Sequence, residues 1–147
     1  MIARSRRLAA VAPRALGLAA LLLGSALEVR AEDPRIDYML HCQGCHLPDG
    51  SGAPGAVPSL RGSIGRFLEV PGGREFLVRV PGSALSALDD AALASVLNWM
   101  IGRFGPQAAS EFTGFDADEV ARYRSRPLLD VEATRHELLR QLDGLAQ

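Results

Sequence analysis

The sequence predicts an all-α protein, and three observations carry that reading. Apolar residues recur at helical spacing through most of the chain, aspartates and prolines stand where helix starts need them, and no segment shows a β signal of any strength. The 147 residues suit one small domain with an appendage.

The first 31 residues read as an export signal rather than as structure. Arg4, Arg6, Arg7 and Arg14 make a basic start, and the run from Ala15 to Leu27 is apolar but short for a membrane span. Glu28 and Arg30 end that run, which argues against an uncleaved anchor, and Ala31 is the expected cleavage point. Cleavage there leaves 11 basic and 16 acidic residues, a balance near −5 where the whole chain has −1. Such a surface argues against nucleic acid as partner and suits a basic patch on another protein. No other segment is apolar enough for a bilayer, so no membrane span is expected after cleavage.

A helix follows from Asp33 to His41, with Pro34 in its first turn and Ile36, Met39 and Leu40 as its apolar side. Asp49 to Gly55 is a Gly/Pro loop. A second helix spans Gly73 to Val80, with Phe76, Leu77 and Val80 at helical spacing and Pro81-Gly82 as its stop. The third covers 90–101: Asp89 caps it, Leu88 and Leu93 form a hydrophobic staple, and Gly102 ends it. Its inward face carries Leu93, Val96, Leu97, Trp99 and Met100. Asp116 with Glu119 opens a short helix to Arg124. Pro127 interrupts, Asp130 caps again, and Val131, Leu138, Leu142 and Leu145 form one narrow stripe. The expected organisation is a signal at 1–31, a core domain at 32–104, and a helical extension at 105–147 packed on that core.

The chemistry lies in Cys42-Gln43-Gly44-Cys45-His46. A disulfide there would close a tiny loop and constrain little of the chain. A thioredoxin-like pair needs a βαβ setting, and zinc needs a second ligand pair; the chain supplies neither. The C-x-x-C-H spacing is that of covalent haem c attachment. Two thiols one helical turn apart each add to a vinyl group of one porphyrin, and the following histidine coordinates its iron.

Three further features make the stretch from Pro34 to Gly102 resemble the class I cytochrome c family. Tyr38 stands four residues before Cys42, Trp99 lies on the last core helix, and Pro58-Ser59-Leu60-Arg61-Gly62 starts sixteen residues after Cys42. The resemblance implies a helical fold around one haem, with Tyr38 packed on Trp99. It also implies that the Pro58 carbonyl accepts a hydrogen bond from His46 Nδ1, fixing the tautomer that binds iron. Such proteins carry single electrons between periplasmic redox proteins, here a dehydrogenase as donor and an oxidase or another cytochrome as acceptor. No paired carboxylates, nucleophile triad or phosphate loop accompany the motif, so a carrier is expected rather than an enzyme.

The sequence departs from the family at the second axial ligand. The family has a methionine in the loop before the last core helix, and the loop from Pro81 to Leu88 holds no Met, His, Lys or Tyr. His41 and Met39 sit on the attachment segment itself, and His136 points away from the apolar stripe of its helix. Met100 is the remaining candidate iron ligand, with packing in the core as its alternative role. Without thioether ligation the reduction potential falls and the distal face opens, which makes a haem module for small ligands the second functional reading. The expected lining is Leu60, Phe67, Phe76, Leu77, Leu93, Val96 and Leu97. The arginines 122, 124, 126, 135 and 140 form either a solvated face or a contact to haem propionates.

Overall fold

The computed structural model describes residues 33–105 and 112–145; the segment read as an export signal, 1–31, lies outside the described residues. In chain order the elements are α1 (Pro34–His41), α2 (Gln43–His46), the 3₁₀ helix η1 (Ile64–Glu69), α3 (Gly73–Arg79), α4 (Pro81–Ala84), α5 (Asp90–Phe104), α6 (Ala117–Arg124) and α7 (Val131–Leu145). The described residues contain no strand, only an isolated bridge between Ala53 and Val57. The fold is all-α.

Aspartates start four of these helices. Asp33 accepts from the Arg35 amide at 2.9 Å, Asp89 from Ala92 at 2.8 Å, Asp116 from Glu119 at 2.7 Å and Asp130 from Ala133 at 2.9 Å. Each satisfies an amide that the first helical turn leaves free.

The orientation of α1 differs from the sequence expectation. Ile36, Met39 and Leu40 are 44%, 46% and 69% exposed, and the buried residues are Asp37 and Tyr38. Packing decides this. The Tyr38 ring lies 5.2 Å from Trp99 and 5.3 Å from Phe104, centroid to centroid, and Ile36 and Leu40 then fall about 200° away around the helix.

Of the two stop signals, Pro81 stands as expected just past the end of α3 at Arg79, and it also opens the short α4, since its fixed φ suits a first turn. Gly102 stays inside α5, which runs on to Phe104. Burial of Phe104 against Tyr38 and Trp99 outweighs the roughly 1 kcal/mol that an interior glycine costs.

The last two helices share the core of the first five. Val120 of α6 and Leu138 and Leu142 of α7 are buried in one cluster with Val78, Val96 and Ile101, while Leu145 at the end of the stripe is exposed. Polar ties reinforce the contact. Arg74 of α3 donates to both carboxylate oxygens of Glu119, at 2.8 and 2.6 Å, and stands 4.2 Å over the Phe115 ring. Asn98 of α5 exchanges two hydrogen bonds with the Phe115 backbone.

Candidate functional site

The attachment segment is a helix broken at one residue. Cys42 leaves helical geometry (φ −124°, ψ −37°) between α1 and α2, which turns Cys45 and His46 onto a new axis. Both cysteines are free thiols, Cys42 half-buried and Cys45 exposed. Burial first, then the charges of Asp37 and Cys45, push the Cys42 pKa up to about 11, so it stays a thiol at neutral pH. Asp37 itself is buried with neither carboxylate oxygen hydrogen-bonded. A lone aspartate in a helix gives no sequence sign of that burial.

His46 closes α2, and its Nδ1 is buried without a hydrogen-bond partner of ordinary geometry. Burial holds its pKa below the usual histidine value, and the neighbouring Pro58 carbonyl offsets part of that effect. The ring is therefore neutral at pH 7, the form in which imidazole binds a metal. Gly52 brings the Pro58 segment this close. It adopts φ 71° and donates to the His46 carbonyl at 3.3 Å; a Cβ there would lie 2.4 Å from the Val57 oxygen and 2.8 Å from the Pro58 oxygen. Only glycine fits both the conformation and the space.

Cys42, Cys45, His46, Pro58 and Met100, all singled out from the sequence, line one cavity of about 310 Å³. Leu60, Phe67, Phe76, Leu77, Leu93 and Leu97 make its apolar wall, whereas Val96 is buried elsewhere in the core. Met100 follows Leu93 and Leu97 along one face of α5, and the flanking Trp99 and Phe104 pack on Tyr38 of α1. His41 reaches the rim of this cavity, and Met39 and His136 are exposed. A second groove, between α3 and α7, contains no motif residue.

The lining continues into segments where sequence reasoning named no site residue beyond the propionate contact considered for Arg135. Ser83, Ser86 and Leu88 enter from the connector before α5, and Val131 and Arg135 from α7. Ser86 Oγ is buried and has no hydrogen-bond partner. Arg124 of α6 holds that connector by donating to the carbonyls of Ala84, Ser86 and Leu88 and to the Asp90 carboxylate. The basic extension is thus neither wholly a solvated face nor wholly turned to the cavity. Arg124 binds backbone, Arg135 lines the cavity, and Arg140 pairs with Glu137.

These features fit a haem bonded through two thioethers. Two free thiols flank an apolar cavity, a neutral histidine enters it with an orphaned Nδ1, and no carboxylate lines it among the described residues. Arg135 supplies the one guanidinium that could meet a propionate there.

No family model matches the chain. Among curated proteins, cytochrome c-552 of Thermus thermophilus is 32% identical over 130 residues, covering 76% of this chain and 86% of that protein. A second cytochrome c-552 from the same species is 33% identical over 106 residues, covering 59% of this chain and 81% of that protein. Shared sequence of that extent, on a helical fold whose central cavity gathers the C-x-x-C-H residues, makes this chain a member of the c-type cytochrome family.

Proposed function

We propose that this chain is a monohaem electron carrier of the periplasm, exported on residues 1–31 and acting as a carrier rather than an enzyme. Cys42 and Cys45 would hold the haem covalently, and His46 would bind its iron. The observation that supports this best is the meeting of both thiols, the neutral imidazole and Pro58 on one cavity wall. When bound, the haem supplies a one-electron couple.

The chain's own residues set the conditions for that couple. The Pro58 carbonyl beside the ring would accept from His46 Nδ1 in the loaded protein, which would leave Nε2 to bind the iron. The aliphatic and aromatic wall would exclude water from the haem, and Arg135 would offset propionate charge. We assign Met100 to the wall and not to the iron. Its helix is packed through Trp99 and Phe104 onto the segment that bears Cys42, the same side from which His46 enters.

The acidic balance near −5 expected after cleavage suits docking to basic patches on a dehydrogenase donor and an oxidase or cytochrome acceptor. No helix among the described residues is long and apolar enough to cross a membrane. A spectroelectrochemical titration of the haem-loaded protein tests the reading. One iron per chain and a reversible one-electron wave are expected; two irons, or steady peroxide turnover far above free haem, would overturn it.

A further inference from the structure

We propose that the cavity is also a binding site for a small exogenous anion, held by Ser86 at the iron position that His46 leaves free, with Arg124 as the positioning residue. The proposal rests on haem binding at His46.

Two walls meet at the cavity. α2, which carries His46, packs on α1, whereas α4, which ends two residues before Ser86, packs on α3 and α6. The connector from Pro81 to Leu88 brings no iron-binding side chain, and the candidate thioether, Met100, belongs to the wall shared with Cys42. What the connector does bring is a buried hydroxyl with an unused donor. A buried polar group without a partner is costly, and Ser86 is one of the residues that line the cavity. A small anion on the iron would accept from it.

The hydroxyl is held in place from outside. Arg124 donates at 2.9 Å to the Ser86 carbonyl, at 2.8 Å to Leu88, at 3.0 Å to Asp90, and through two nitrogens at 3.3 Å to Ala84. Where an iron–methionine bond would tether this loop in the family resembled, a guanidinium from the extension tethers it here.

Azide titration of the ferric, haem-loaded protein, followed by absorption, tests the site. Wild-type protein is expected to form a saturable complex. Ser86→Ala should weaken azide binding about tenfold or more, the worth of a hydrogen bond to a charged group, and Ser86→Thr should restore it. Arg124→Gln should raise both association and dissociation rates, because the loop is released while Ser86 remains. The proposal fails if Ser86→Ala binds azide as tightly as wild type. It fails equally if the wild-type ferric protein refuses azide and shows a thioether charge-transfer band that Met100→Leu abolishes. In both cases covalently coloured protein leaves the haem reading standing, whereas a colourless polypeptide overturns both.

Discussion

The Tyr38 hydroxyl donates to the Leu47 carbonyl at 2.5 Å, joining the helix before Cys42 to the residue after His46. Leu47 needs that restraint. Its φ of 58° and ψ of 164° lie in a region that side-chain-bearing residues rarely adopt, and such strain costs about 1–3 kcal/mol. The ring of Tyr38 is at the same time wedged between Trp99 and Phe104. One side chain thus sets both the packing of α1 on α5 and the exit of the chain from the histidine.

Removing only the hydroxyl should therefore loosen the site without breaking the core. Tyr38→Phe is expected to lower unfolding free energy by about 1 kcal/mol, the usual net worth of one hydrogen bond. Leu47→Gly should raise it by roughly 1 kcal/mol, because the strain goes and the half-exposed side chain gives up little packing. Denaturant midpoints of the two variants check both signs. Equal midpoints for Tyr38→Phe and wild type would show that the bond restrains nothing.

Tyr38 also makes stability depend on alkaline pH. Burial, with the nearby Cys42 and Asp49 charges, raises its pKa from 10.0 to about 12. A raised acid favours the folded state fully below the unfolded value, and that contribution is lost as pH climbs through the folded one. Wild-type stability should fall between about pH 10 and pH 12, and Tyr38→Phe should remove this component of the slope. Thermal midpoints measured from pH 8 upward, with parallel slopes as the contrary result, decide it.

Gly52→Ala should damage fold and haem environment together. The added methyl would lie within 3 Å of two carbonyl oxygens, and φ 71° disfavours alanine independently. A loss of about 2 kcal/mol or more is expected. The displaced Pro58 carbonyl should also shift the reduction potential of the loaded protein. A stable variant with an unchanged potential would separate Pro58 from the histidine.

The extension should unfold with the core rather than apart from it. Leu142 is 1% exposed and packs in the central cluster, so Leu142→Ala is expected to cost about 2–5 kcal/mol. Far-UV circular dichroism and haem absorbance should then report one coincident transition at a lower midpoint. An early transition confined to circular dichroism would make the extension an independent appendage.

How far the molecule was readable depends on the kind of signal. Asp89, Asp116 and Asp130 cap helices as read, because capping is a local matter of one side chain and the next few amides. The attachment residues were singled out from their spacing and Pro58 through the family resemblance, and they share a cavity. The face of α1 was not readable from its own periodicity, where three aliphatics at helical spacing looked inward, although the resemblance did imply the Tyr38–Trp99 contact that turns the helix over. Ser86, and the backbone-binding role of Arg124, escaped for another reason. An arginine that binds backbone carbonyls leaves no pattern of paired side chains in the sequence, and a serine becomes notable only when its hydroxyl is seen buried and unpartnered.

The direct test of the central claim is where the colour goes when the purified holoprotein is denatured and extracted with acidified acetone. Pigment retained on the wild-type polypeptide, and released into the solvent from a Cys42→Ala, Cys45→Ala double variant, is the predicted result. Colourless wild-type polypeptide with all pigment in the acetone would contradict covalent attachment at these two thiols.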